Sequence, residues 1–228
     1  MPTFQIGGKL VLFVHIPKTG GTTIEKLFRT HPDYQEEALY AEGPSNLFIR
    51  TSLCSPQHWH ANILKKALRI NCFDLTFCII RNPLSRILSE YSMHIGKSQG
   101  TLTTPTEKSF VEWYEESQEM RKANPFCFDN HLRSQNEFLL RKSLVATYED
   151  GIPNIWKELC LRLTLQPQVT AIPHIRPGKG PSIPLTTLSP GTRKKIYADY
   201  EEDLYMFKRI SSRRRGDSIF VHAASLLS

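Results

Sequence analysis

Several broad classes are closed to this sequence by what it lacks. There is no C-x-x-C pair: the five cysteines, Cys54, Cys72, Cys78, Cys127 and Cys160, are odd in number and scattered, which argues for reduced thiols and against a structural zinc site. There is no long apolar run. Leu10 to Ile16 is far too short to cross a bilayer, and Met1 to Gly8 has neither the basic start nor the apolar stretch of a signal peptide. Internal repeats and low-complexity segments are also missing. Charged residues, at 22%, are too few and too mixed for a disordered polyelectrolyte. These absences predict a soluble, cytoplasmic protein, although a catalytic domain trimmed from a membrane-anchored parent would look similar.

What remains is enough for a folded enzyme-sized domain. Hydrophobic residues make up 40% of the 228 positions and aromatics 10%, sufficient for a sizeable buried core. One domain over residues 1–210 is expected, followed by a basic tail, 211–228, that begins at Arg213-Arg-Arg215 and is loosely attached. Lys and Arg number 29 against 22 Asp and Glu, a net charge of +7. That surplus points to an anionic partner without choosing among nucleotide, nucleic acid, acidic sugar and membrane.

Leu10 to Ile16 reads as a strand buried on both faces, ending in Pro17 and the Gly20-Gly21 pair; from Thr22 the spacing of Ile24, Leu27 and Phe28 becomes helical, with Thr22 or Thr23 as cap. The same architecture recurs. Leu75 to Ile80 is a buried strand, Arg81-Asn-Pro83 a turn, and Leu84 to His94 a helix with Pro83 in its first turn. A short helix near Ala61 to Leu68, a charged helix from Phe110 to Lys122, a third strand at Ser143 to Tyr148 and a helix from Ile155 to Leu163 follow. The segment from Pro173 to Pro181 has too much Pro and Gly for regular structure. Ser189 caps a final helix with Ile196, Tyr200, Leu204 and Phe207 on its buried face. Strands alternating with helices predict an α/β fold, a single domain with a central mainly parallel sheet flanked by helices, and ligands gathered at the carboxyl ends of its strands.

Both turns fall at such ends, and both carry chemistry. His15-Ile-Pro-Lys-Thr-Gly-Gly-Thr-Thr23 sets a lysine, two glycines and two hydroxyls between a buried strand and a helix N-terminus, which is the physics of an anion site. In a nucleoside triphosphatase loop the lysine follows the glycines; here it precedes them. The order Pro-Lys-Thr-Gly-Gly-Thr-Thr resembles the 5′-phosphosulfate loop of sulfotransferases that use 3′-phosphoadenosine-5′-phosphosulfate (PAPS), in particular the carbohydrate branch that includes the heparan sulfate 2-O- and 6-O-sulfotransferases and bacterial relatives. The resemblance implies the P-loop-like sulfotransferase fold, with PAPS as donor and no metal. It implies that Lys18 contacts the bridging oxygen and the transferring sulfuryl group, and that Pro17, Thr19, Gly20, Gly21, Thr22 and Thr23 help to hold the 5′-phosphate.

The second turn supports the first. Arg81 stands at a strand end and Ser89 eight residues on, with Arg86 between; the run R-x-P-x-x-R-x-x-S-x-Y is similar to the 3′-phosphate motif of the same family. By that pattern Arg81 and Ser89 bind the 3′-phosphate, while Arg86 supports helix and loop. His58-Trp-His60 lies between the two motifs, where the heparan branch carries its catalytic histidine, and histidine is the usual base near neutral pH. One of the pair would take the acceptor proton and the other orient it or bind substrate.

Asp129-Asn-His-Leu-Arg-Ser-Gln135 has six hydrogen-bonding side chains in seven residues, too polar for a buried element. It is similar to a D-N-H-x-R-P-Q stretch of bacterial and carbohydrate sulfotransferases, with Ser134 in place of the proline, and implies contact of His131 and Arg133 with the acceptor. Arg176 and Lys179 are placed like a late basic loop that closes over the nucleotide. The resulting expectation is sulfuryl transfer from PAPS to a hydroxyl, most simply of a saccharide. Two alternatives compete with it. A kinase or other NTP-using transferase would require an acidic residue at a strand end, where Leu75 to Ile80 instead meets Arg81; a basic nucleic-acid-binding module would require clustered cations interleaved with aromatics, whereas here they sit at turns.

Overall fold

A computed structural model of the chain describes residues 2–38, 53–97, 104–166, 182–213 and 218–227. It opens on a hairpin that the sequence pattern does not announce, β1 (Thr3–Ile6) and β2 (Lys9–Val14). Gly7 and Gly8 join the two strands with φ of 53° and 72°, a tight turn that glycine adopts without steric cost. Then come α1 (Gly21–Arg29), β3 (Tyr34–Ala38), α2 (Ala61–Ala67), β4 (Leu75–Ile80), α3 (Pro83–Lys97) and α4 (Glu107–Ala123). The chain continues through β5 (Leu144–Thr147), α5 (Ile152–Leu163), α6 (Pro190–Asp199), α7 (Glu201–Ser211) and β6 (Val221–His222).

The sheet order is β3-β1-β2-β4-β5-β6. Its centre, β2-β4-β5, is parallel, and antiparallel strands stand at both edges. Both faces of the centre are covered, so its strands are apolar at nearly every position. Leu12, Val14, Cys78, Ile80 and Val145 enter a core shared with α2 and α7, while Val11, Phe13, Phe77, Ile79, Leu144 and Ala146 face α1 and α5. Each of the larger side chains contributes about 1.5–3 kcal/mol by leaving water. A third cluster, built on Leu84, Ile87, Phe110, Trp113 and Ile196, holds α3, α4 and α6 together. None of the five cysteines forms a disulfide and four are buried; burial pushes the thiols of Cys54 and Cys78 up to about 12.

Three local expectations are corrected. Neither Thr22 nor Thr23 caps α1, because the N-cap is Gly20 in the left-handed region, with no side-chain cap. The last helix is two helices. Tyr200 leaves helical geometry (φ −127°, ψ 42°) to bury its ring and donate its hydroxyl to the Leu132 carbonyl at 2.8 Å, and beyond it Met206 and Ile210 are buried while Leu204 and Phe207 are only half-buried. Residues 218–227 of the tail are docked on the sheet. Val221 and His222 pair with Val145 and Leu144 along the edge of β5, and Phe220, Ala223 and Leu226 are buried, since covering an open sheet edge and its apolar flank outweighs the freedom of a short tail. Arg213 is tied to both carboxylate oxygens of Asp150 at 2.8 Å, while Arg214 and Arg215 lie outside the described residues.

Among the described residues no helix is long and apolar enough to cross a membrane.

Candidate active site

The chemistry-bearing residues meet at the carboxyl ends of the three parallel strands. After β2 the chain turns through Pro17 and Lys18, which is left-handed at φ 68°, to Gly20 at φ 87°. Gly21 must be glycine: a Cβ there would stand 2.1 Å from Nε2 of His15, whose ring fills the space beneath the loop. A Cβ on Gly20 would meet the Tyr148 ring at 2.9 Å. The first amides of α1 have no acceptor within the helix and carry the positive end of its dipole. Thr19 departs from the expected role of its hydroxyl, which is fully buried and donates to the Ile16 carbonyl at 2.8 Å. Thr22 and Thr23 remain half-buried in the first turn.

The second loop is braced from three sides. Gln135 is fully buried; its amide donates to the Arg81 carbonyl and its carbonyl accepts from the Arg81 amide, both at 2.9 Å. Glu149 accepts from the Asn82 amide at 3.1 Å, and Asn82 Oδ1 accepts from the Ser85 amide at 3.2 Å, capping α3. The Arg81 guanidinium stacks over Tyr148 at 4.5 Å and donates to the Lys18 carbonyl at 3.3 Å, so the two loops touch. Ser89 is half-buried two turns into α3. Arg86 is wholly buried and serves the scaffold, donating to the carbonyls of His131 and Arg133 at 2.8 Å each.

Three histidines line one side of the loops, and each holds a carboxylate on Nδ1: His15 with Glu25 at 2.6 Å, His58 with Asp129 at 2.8 Å and His131 with Glu90 at 2.6 Å. His58 is central, edge-on to His15 at 5.3 Å and to His131 at 4.8 Å between ring centroids. Among the described residues no group bonds Nε2 of His58 or of His131. Burial lowers both imidazoles below the usual histidine range, although their carboxylates pull the other way. Asp129, despite burial that would raise it, is brought down to about 2 by His58 and the Ser55 amide and hydroxyl. Glu90 is also raised by burial, but His131, Lys18 and Arg86 leave it below the usual carboxylate range. Ligand atoms of His58, Asp129 and His131 lie within 4.8 Å of one another. Nδ1 of His58 is engaged by Asp129 and Nδ1 of His131 by Glu90, which leaves Nε2 of each ring open among the described residues.

His60 stands apart from this cluster. It is the N-cap of α2, its ring lies against Phe126 at 5.8 Å, and its buried Nδ1 has no hydrogen-bond partner. Asn130, Leu132, Arg133 and Gln135 of the polar stretch are buried and Asp129, His131 and Ser134 half-buried, more enclosed than the sequence suggests because the polar groups find partners. Asn130 donates to the His58 carbonyl at 2.9 Å, and Phe128, Asp129 and Asn130 are all left-handed, which swings Asp129 toward His58. Arg133, expected to face the acceptor, is turned inward: it pairs with Glu137, donates to Asn130 Oδ1 at 2.9 Å and lies over Phe126. Arg176 and Lys179 fall outside the described residues. Sequence spacing gives no sign of Glu90, Asp129 or Tyr148 as partners; only the adjacency of Glu90 to Ser89 hints at the first.

Two shallow surface hollows lie elsewhere, against Lys157 and Arg162 on α5 and against Arg193 and Lys194 on α6. The model of the sulfotransferase family matches residues 3–150, a stretch that includes both loops and the three histidine–carboxylate pairs. The chain belongs to the sulfotransferase family. No curated protein and no solved structure matches it. As a sulfotransferase it transfers a sulfuryl group, and its α/β fold with a parallel centre is that of the family. The matched stretch ends at the turn after β5, so α5, α6, α7 and β6 of this sulfotransferase lie beyond it.

Proposed function

We propose that this sulfotransferase moves a sulfuryl group from PAPS to a hydroxyl of a carbohydrate acceptor by in-line displacement, with His58 as general base. One observation carries the reading: Lys18, Arg81 and the His58–Asp129 pair gather on adjacent loops at the ends of the parallel strands, with Arg81 bonded to the Lys18 carbonyl. The residues fit such a donor. Lys18 and the first amides of α1 form a cationic, donor-rich cradle for a 5′-phosphosulfate, and Arg81 with Ser89 suits a 3′-phosphate. His58 accepts the hydroxyl proton on Nε2 as the acceptor oxygen bonds to sulfur and the bond from sulfur to the bridging phosphate oxygen breaks. Asp129 holds the imidazole by Nδ1 and stabilises the cation that forms; Lys18 offsets charge on the departing phosphate oxygen. His60 supports the wall at Phe126 rather than the base.

Calorimetry with 3′-phosphoadenosine 5′-phosphate, ATP and a short oligonucleotide tests the donor assignment. Micromolar binding of the first alone is expected, and magnesium-dependent ATP binding instead would point to a kinase. A screen of saccharide acceptors with labelled PAPS tests the transfer. His58→Asn should lower kcat by about 10²–10⁴-fold with nucleotide affinity nearly intact.

A further inference from the structure

We propose that His131, held by Glu90, is a second proton-accepting group of this site, and that His58 and His131 are a coupled pair that carries at most one added proton, the one taken from the acceptor. This rests on the reading of His58 as base and extends it to a residue expected only to touch the acceptor.

The geometry carries the inference. Two imidazoles meet edge to face at 4.8 Å, each with Nδ1 on its own carboxylate. Such a carboxylate sets the tautomer, so each ring keeps the proton on Nδ1 and offers Nε2 as the acceptor. A histidine that merely contacts a sugar does not need a buried anion; Glu90 is only 3% exposed and His131 is its hydrogen-bonding partner. Charged groups of both signs face the pair, and Arg29 pairs with Glu25 behind them. Asp129 faces His58, Glu90 faces His131, His15 with Glu25 closes the far side of His58, Lys18 acts on Glu90, and the Arg86 guanidinium is bound to the His131 carbonyl. Two imidazolium cations in contact repel, so protonating one ring raises the cost of protonating the other, and the rings titrate as a coupled unit. When His58 takes the acceptor proton, His131 must therefore be neutral. A proton on Nε2 of either ring therefore excludes one from the other, and no further reactant is needed.

Magnetic-resonance titration of the imidazole rings in the full chain is the test, alongside kcat against pH. In the unaltered protein His58 and His131 are each expected to show two inflections. In His131→Asn the His58 ring should show one inflection, moved up by about one pH unit, with the acid limb of kcat moving the same way and kcat falling about tenfold. In Glu90→Gln, which keeps the ring and the shape of its partner, the His131 inflection should move to lower pH and the His58 curve should again become single. A His58 titration that is unchanged in both variants overturns the proposal, and so does a loss of thermal stability with the pH profile unmoved. Absence of nucleotide binding in the unaltered protein would instead sink the donor reading, while the titrations would still report whether the rings are coupled.

Discussion

Arg81 Nη1 donates to the carbonyl oxygen of Lys18 across 3.3 Å, while the same guanidinium stacks on Tyr148, whose ring lies under Gly20. The ends of β2, β4 and β5 are thus tied through one arginine. A residue suited to one end of the donor also holds the backbone of the lysine suited to the other, so the two loops are set relative to each other before any ligand arrives.

Arg81→Lys keeps a charge but loses the planar fork that stacks and reaches two acceptors. Affinity for 3′-phosphoadenosine 5′-phosphate should fall by about tenfold or more, roughly 1.4 kcal/mol, as read by calorimetry. Unaltered affinity would mean that the contact between the loops contributes nothing to binding.

Lys18→Ala removes the mobile cation while keeping a Cβ at the same left-handed position. Turnover should drop by about 10²–10³-fold, the effect of deleting one donor to a developing charge. The unfolding temperature should stay put, because Lys18 is only half-buried. Full activity in this variant would refute the role given to the first loop.

Gly21→Ala places a methyl 2.1 Å from the His15 ring, which is itself locked to Glu25 and cannot yield. A loss of about 1–3 kcal/mol in stability is expected, with a displaced loop and weaker nucleotide binding. Denaturant unfolding and calorimetry on one preparation check both.

Arg86→Leu leaves the carbonyls of His131 and Arg133 buried without donors. Destabilisation of roughly 2–5 kcal/mol should follow, together with lower kcat as the turn carrying His131 loosens. A neutral effect on both would show that solvent enters and replaces the guanidinium.

Stability should also depend on pH in a defined direction. Burial holds His58, His60 and His131 below the ordinary 6.5, so below that value the unfolded chain takes up protons that the folded protein refuses. Their contribution is complete above about 6.5 and is lost as pH falls from there toward the folded values. A second loss follows between about 4 and 2, where Asp129, brought down to about 2 in the fold, takes its proton. Unfolding midpoints measured across this range should decline in these two stages.

The sequence by itself determined the strands buried on both faces, the helices that follow the two turns, and the two turns at the strand ends. Those are local signals: a nearly unbroken apolar run at β4, Gly-Gly with Lys18, Pro83 opening α3. It could not reveal which histidine is held by a carboxylate. His58 and His60 look alike along the chain, and the difference is that Asp129, seventy-one residues away, reaches one of them because three successive left-handed residues turn it there. Nor could polarity alone place Asp129 to Gln135, since a polar side chain is excluded from the interior only when no partner waits for it, and here Glu90, Arg86 and Asp203 do. The tail was decided in the same way. Its docking depends on the open edge of β5, and an edge exists only once the sheet has formed.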